Sequence, residues 1–460
     1  MSDQHNRRVT TGATIALLAA GLLLTASTAA AATRPAARHG TAKPVTLTMW
    51  DTLNADTTGI PKSNYWETRA IDMFEQQHPN IRVKIVPTPG DATDAFSALL
   101  KSSEVAGNTP DIGQLFPGGQ ILQNTQYLLP LNKYLTPKFT NSLYPTVGWQ
   151  MERPGYATNG PIYGVPYGAG AYYFVYYNKA LFKKAGVTIT DTSYPTTWSQ
   201  LVLLAKHLKA KGILPFQFGE EQGYFGAWTQ DALISHEVGT AGLLNFYDGK
   251  TSLDTPAIIK AYTAWHELYA DGLTNKDALS TNNSQSWAQF AKGNGAMTIT
   301  LGQADGAVEV GAMKNNIGIF PVPALPGSKY PTAITGGPTD AYVIFKNTKH
   351  PLQAITFIQF MLSTPVQVMY MDQGYGELPN VKTYKLTARV AHIDPVLSQT
   401  YYWILVRKFP LELGFDSVMP ETVLNYWYHT NAAVFGGSMT PAAAARGLEQ
   451  QMKTYLATSA

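Results

Sequence analysis

The chain has 460 residues, 34 Lys and Arg against 31 Asp and Glu, no cysteine, and only 14% charged residues. Without a thiol it excludes disulfide scaffolds, thiolate metal sites, cysteine nucleophiles and a lipid-modified N-terminal cysteine. A net charge of +3 with no basic block argues against nucleic acid as the main partner, while a hydrophobic fraction of 45% supports a sizeable core.

Arg7 and Arg8 precede an apolar run over 13–24, and small residues follow as far as Ala30-Ala31-Ala32. A basic start, a short apolar run and an A-x-A ending form a secretory signal, and the run falls short of the ~20 residues that span a bilayer. Residues 1–32 are therefore expected to be a signal peptide cleaved after Ala32, followed by a flexible lead-in over 33–42. The alternative is an uncleaved membrane anchor. Val9-Thr10-Thr11 lacks the large apolar residue of a twin-arginine signal, which favours the general secretory route.

Length suggests two or three domains. Residues 45–50 read as a first strand, and 65–78 show helical periodicity that stops at Pro79. Residues 81–86 alternate apolar and polar, as a half-buried strand does. A short helix is predicted over 96–105, and a strand from Asp111 that breaks at Gly118-Gly119. Residues 172–177 form a continuous strand-like run, followed by helices over 179–185 and 197–211 that close at Gly186 and Gly212. Further along, helices are predicted over 257–270, 351–362 and 440–456, and strands over 296–301 and 341–345. Strand–helix alternation of this kind is the α/β signature.

Catalytic motifs fail on spacing. His236-Glu237 and His266-Glu267 lack the second histidine of a zinc motif, since Thr240 and Ala270 stand there. Gly249-Lys250-Thr251 lacks the glycine of a phosphate loop, with Leu244 in its place. Glu220-Glu221 could suggest glycosidase carboxylates, but adjacent side chains point to different faces, and a solvated loop is expected. No metal or cofactor is expected.

Aromatic and amide residues, by contrast, recur where predicted strands end and loops begin. Trp50 and Asp51 end the first strand; Gln114 and Phe116 follow the Asp111 strand; Tyr167 lies in GVPYG. Tyr224 and Trp228 lie in a glycine-rich stretch over 219–228 that reads as a loop. Gly302-Gln303, Gly336-Gly337, Glu377 and Trp427 occupy comparable positions. Flat rings cover the apolar faces of sugars, and carboxylates and amides satisfy the hydroxyl rim.

Segments in family order then carry a resemblance: VTLTMW at 45–50, FEQQHPNI at 74–81, NTPDI at 108–112, LPLNKY at 129–134, YGVPY at 163–167, YYNK at 176–179, LFKKAG at 181–186, PTTW at 195–198 and FAKGNGAM at 290–297. The chain resembles the extracellular solute-binding proteins of ABC importers, in the maltose-binding-like carbohydrate family. The resemblance implies an α/β, two-lobed periplasmic-binding-protein fold with discontinuous lobes joined by hinge strands. Lobe one would comprise 43–167 and 301–345, and lobe two 168–300 and 346–460. It further implies an exported monomer, not an enzyme, that binds a neutral sugar or oligosaccharide and delivers it to the transmembrane subunits of an ABC permease. Trp50, Asp51, Gln114, Phe116, Tyr167, Tyr224, Trp228, Gly302, Gln303, Gly336, Gly337, Glu377 and Trp427 would contact ligand. Many relatives carry a lipid-anchor cysteine after the signal, and this chain has none. The alternatives are a secreted glycan-active hydrolase, or the same fold with a peptide, polyamine or phosphorylated polyol as ligand.

Overall fold

The computed structural model describes residues 44–51, 61–89, 94–143, 153–157, 159–167, 171–301, 312–338, 340–373 and 395–459. The expected signal and lead-in lie outside them. The described strands are β1 (Val45–Asp51), β2 (Ile81–Pro87), β3 (Ile112–Leu115), β4 (Gly164–Tyr167), β5 (Ala171–Asn178), β6 (Met297–Leu301), β7 (Ile317–Pro321), β8 (Ile334–Gly337), β9 (Asp340–Ile344) and β10 (Leu411–Glu412).

The first sheet has the order β2-β1-β3-β9-β4. β1 pairs in parallel with β2 from Val45↔Ile81 to Asp51↔Pro87, and with β3 at Met49↔Ile112. The chain thus leaves β1 to one side and returns on the other. That reversal makes the carboxyl ends of β1 and β3 a topological switch point, where open α/β sheets bind ligands. The pleat divides the core in two. Tyr342 and Ile344 face one hydrophobic cluster with Leu47 and Phe74, while Ala341, Val343 and Phe345 face another with Trp50 and Phe96.

The second sheet has the order β10-β8-β5-β6, with β7 also paired to β5. β5 is central. It runs antiparallel to β6 from Tyr173↔Leu301 to Tyr177↔Met297 and to β7 from Phe174↔Pro321 to Asn178↔Ile317. Tyr172 to Tyr177 are all buried, which explains a run without alternation.

The chain crosses from the first sheet to the second between β4 and β5, and returns between β8 and β9. A third crossing follows residue 373. The helices Pro351–Met361 and Thr364–Asp372 bury Phe357, Met361 and Tyr370 in the first lobe's core, whereas Val396 belongs to the second. Two expected boundaries are thereby corrected. β7 and β8, placed in lobe one by the expected 301–345 segment, pair with β5 in lobe two. The helices within 351–372, assigned to lobe two, pack on lobe one, because their apolar faces close over the sheet that β9 has just joined.

The stretch over 219–228 is also corrected. It is not all loop: a helical stretch, Tyr224–Tyr247, begins inside it and is kinked at Gly239, where φ is 62. Residues Phe225 to His236 are all buried, so the stretch before the kink is buried on every side and shows no amphipathic period to read. Gly223 precedes it at φ 77, and a Cβ there would lie 2.0 Å from the Tyr428 carbonyl oxygen. Between the lobes, Tyr156 inserts into the second lobe's core. Its hydroxyl donates to the Val418 carbonyl at 2.8 Å, and its ring meets Tyr247 edge-on at 5.2 Å.

Candidate functional site

The strand ends of the first sheet bring Asp51, Gln114, Tyr167 and Asp340 to one edge around Tyr342. Tyr167 stacks on Tyr342 at 4.2 Å and 22°, and Gln114 hydrogen-bonds the Tyr342 hydroxyl. Glu67, on the helix Trp66–Gln77, is buried beside Asp51. Burial, then the Asp51 charge, then a hydrogen bond to Asp51 push its carboxyl well above the usual range. Glu67 and Asp51 therefore form a buried, hydrogen-bonded carboxyl pair in which the charged form of Glu67 is disfavoured.

The facing edge of the second sheet carries a second carboxyl pair. Tyr173 donates its hydroxyl to Asp416 Oδ2 at 2.9 Å, and the Asp416 amide donates to Asp231 Oδ1 at 3.1 Å. Ser417 donates to Asp416 Oδ1 at 3.1 Å. Both carboxyls are pushed upward, first by burial, and that of Asp231 further by the charge of Asp416. These groups lie far apart in the chain, and sequence reasoning did not name them.

Between the lobes lies a small pocket with a cavity volume of about 50 Å³. Phe116 and Gln120 form its lobe-one wall; Asp416, Met419, Glu421, Leu424, Asn425 and Tyr428 form its lobe-two wall. The Phe116 amide donates to Gln120 Oε1 at 2.7 Å, which holds the loop's turn. Tyr224 packs edge-on to Tyr428 at 5.4 Å and stacks on Trp228 at 6.0 Å and 17°. The aromatic series Tyr428, Tyr224, Trp228 thus runs from the pocket wall into lobe two.

Of the expected contacts, the structure places Phe116 in the pocket and Asp51, Gln114 and Tyr167 at the first sheet's cleft edge. Gly336 and Gly337 end β8 opposite Tyr172 and Ala171, beside the crossing into β9. Gly302, Gln303 and Glu377 lie outside the described residues. Two aromatic assignments are corrected. Trp427 is 0% exposed and packs on Phe415 at 4.7 Å, so no ring face is open; the next residue, Tyr428, lines the pocket. Trp50 is 7% exposed and lies edge-on to Phe96 at 6.1 Å and Phe345 at 5.9 Å, as part of the lobe-one core.

Glu220 is not on a solvated loop. It is fully buried, and its Oε2 accepts the Gly226 amide at 2.8 Å in the first turn of the long helix. His236 is buried too, with Nε2 2.9 Å from the Ala333 carbonyl, while Glu237 pairs with Lys260 at 3.4 Å. Among the described residues no three His, Cys, Asp or Glu form a metal-holding group.

Two α/β lobes, joined by crossing strands around an aromatic and carboxyl-lined cleft, define a two-lobed binding protein. The model of the bacterial extracellular solute-binding proteins matches residues 58–368, and the chain belongs to that family, which comprises exported solute-binding proteins rather than enzymes. A multiple sugar-binding protein of Streptococcus mutans is 28% identical over 311 residues, 66% of this chain and 69% of that protein. An uncharacterized ABC transporter extracellular-binding protein of Pyrococcus horikoshii is 26% identical over 296 residues, 64% of this chain and 64% of its own length, just under two thirds. Among solved structures, a chitin oligosaccharide binding protein superposes with a TM-score of 0.74 at 22% identity, covering 89% of this chain and 98% of that one. A raffinose complex of the binding protein RafE gives a TM-score of 0.66 at 21% identity, covering 89% and 100%.

Proposed function

We propose that this chain is the substrate-binding component of an ABC importer, capturing a neutral sugar or oligosaccharide between its lobes and delivering it to a membrane permease. The observation that carries this reading is the make-up of the walls that face each other between the lobes. Asp416, Asn425 and Tyr428 from one lobe face Gln120 and Phe116 from the other, and among the described residues no Lys or Arg lines the pocket. An anionic ligand such as a phosphorylated polyol would call for convergent cations. A neutral sugar needs a ring face and a hydroxyl rim, and Tyr428 with its amide and carboxyl neighbours supplies both.

Capture follows from the topology. The lobes are joined where β4 leads to β5 and β8 leads to β9, and a ligand that touches both walls stabilises the closed arrangement. Closure removes water from every enclosed hydroxyl, and one left unpaired costs about 1–3 kcal/mol. The polar rim therefore selects the stereochemistry, while the aromatic rings supply general affinity. The closed form then docks on the permease, which a separate ATPase drives.

A thermal-shift screen of the purified protein tests this. The panel holds maltose, raffinose, stachyose, xylan and chitin oligosaccharides, with sn-glycerol-3-phosphate and a tripeptide as controls. A ligand that binds only the folded state stabilises it by about 2.7 kcal/mol at a hundredfold excess over Kd. A shift with a neutral sugar supports the reading. A shift with a control alone, and with no sugar, overturns it.

A further inference from the structure

Lobe one touches one short run of lobe two, residues 418–421, at three points. The Ser97 hydroxyl donates to Glu421 Oε1, Gly119 lies against the Met419 carbonyl, and the Tyr156 hydroxyl donates to the Val418 carbonyl at 2.8 Å. Ser97 and Glu421 line an open groove along the lobe boundary, so their contact parts at little cost when the lobes separate. The Tyr156 contact differs in kind.

Tyr156 is supplied by the chain of lobe one, yet it belongs to the core of lobe two. Leu143 is packed in the first lobe's core, and Ile162 is back in that lobe, its carbonyl accepting from the Leu131 amide at 2.7 Å. Between them, the turn Pro154–Tyr156 places its tyrosine among the second lobe's buried residues, only 5% exposed. The ring meets Tyr247 edge-on, and the Tyr247 hydroxyl lies 3.2 Å from that of Tyr455. Withdrawing Tyr156 would return a whole aromatic ring to water and break its hydroxyl's bond. The backbone is strained as well. Tyr156 has φ 52, in the left-handed region that bulky residues rarely adopt. Such strain persists only where the surroundings over-determine it, and it gathers at functional positions.

The far end of the contact adjoins the pocket wall. Val418 ends the short helix Phe415–Val418, and the last carbonyls of a helix have no partner within it; the Tyr156 hydroxyl supplies one. Asp416, in the same turn, lines the pocket and is held by Tyr173. A group from lobe one thus fixes the corner of lobe two from which Asp416 and Met419 face back toward lobe one.

We propose that Tyr156 is a positioning residue for capture: a tether from lobe one that stays in the core of lobe two, fixes the Val418–Met419 corner and restricts how far the ligand-free lobes part. It adds a side-chain link to the three chain crossings. The proposal rests on the reading of capture by lobe closure, and its test needs no ligand.

The chain has no cysteine, so Val105→Cys with Thr458→Cys gives a protein that carries two spin labels and no others. Both positions are exposed, and they line opposite walls of the groove at the lobe boundary. Pulsed electron–electron double resonance on the ligand-free protein then reads the distance between the lobes. Tyr156→Phe keeps the ring and removes the donor. It should broaden the distance distribution and raise the ratio of open to closed protein by about two- to tenfold, the worth of one hydrogen bond. Tyr156→Ala removes the ring too and should move the whole distribution to longer distances. A residue that serves stability alone would lower the urea midpoint and leave the distances of the folded protein where they are. Distributions unchanged from the parent's in both variants therefore overturn the tether, and Tyr156→Phe decides alone if the alanine variant does not fold. Failure of every sugar in the thermal screen would count against the sugar-binding reading and would leave these distances, and the tether they report, unaffected.

Discussion

Gly119 of lobe one lies against the main-chain carbonyl of Met419 in lobe two, so close that a Cβ at position 119 would stand 2.4 Å from the oxygen. Both residues sit at the mouth of the pocket, next to Gln120 on one side and Asp416 on the other. The separation of the walls there is set by main chain, which cannot yield as a flexible side chain does.

Gly119→Ala should therefore hold the lobes apart. Overpacking of this kind costs roughly 1–3 kcal/mol, or about a fivefold to hundredfold loss of affinity for a bound sugar. The ligand-free protein should keep its melting temperature, because opened lobes relieve the clash. Calorimetry on the variant checks the affinity, and unchanged binding would mean that the contact plays no part in closure.

Trp427 and Tyr428 should behave oppositely. Trp427 fills the lobe-two core, so Trp427→Ala should destabilise the protein by about 3–5 kcal/mol in urea unfolding. Tyr428→Ala should weaken sugar binding by tenfold or more and leave the unfolding midpoint nearly unmoved. A stable Trp427→Ala protein with lost binding would reverse the two assignments.

The buried carboxyls predict a pH dependence. Glu67, Glu104, Asp231 and Asp416 all have raised folded-state values, chiefly through burial. A raised carboxyl contributes stability that is complete below its unfolded value, about 4, and is lost as pH rises through the folded value. For Glu104 that loss runs up to about 8. Urea midpoints should therefore fall between pH 5 and pH 8, and Glu104→Gln or Asp231→Asn should flatten the fall. A midpoint that rises over this range in the parent protein would contradict the assignment.

Hinge closure predicts compaction. Small-angle scattering at saturating sugar should show a smaller radius of gyration than the ligand-free protein, because a ligand held by Gln120 and Asn425 draws their lobes together. An unchanged radius at saturation would remove closure from the mechanism.

Much of the fold was legible in the chain alone. Alternation over 81–86 marked β2, since a half-buried strand repeats every two residues. The unbroken run over 172–177 marked β5, and Thr197 and Gly212 bounded a helix whose capping box the structure shows, with the Thr197 side chain accepting from Gln200. The start of the helical stretch Tyr224–Tyr247 was not legible from its period, for Phe225 to His236 have no exposed face to mark one. The lobe to which 317–337 and 351–372 belong was not legible either, because the choice rests on pairing partners more than a hundred residues away.

The site divides in the same way. The sequence by itself determined a charge-poor, thiol-free α/β chain with aromatic and amide residues at its strand ends, since these follow from composition and local period. Only the tertiary structure decided which of them meet. Trp427 and Tyr428 are neighbours in sequence, yet a helix turns each residue about 100° from the last. One ring is therefore sealed in the core and the other lines the pocket. Asp231 and Asp416, joined through Tyr173, come together across 185 residues because β5, the buried helix and the Gly414 turn converge on one edge of a sheet. A side chain's direction depends on what its element packs against, and that is a property of the assembled fold.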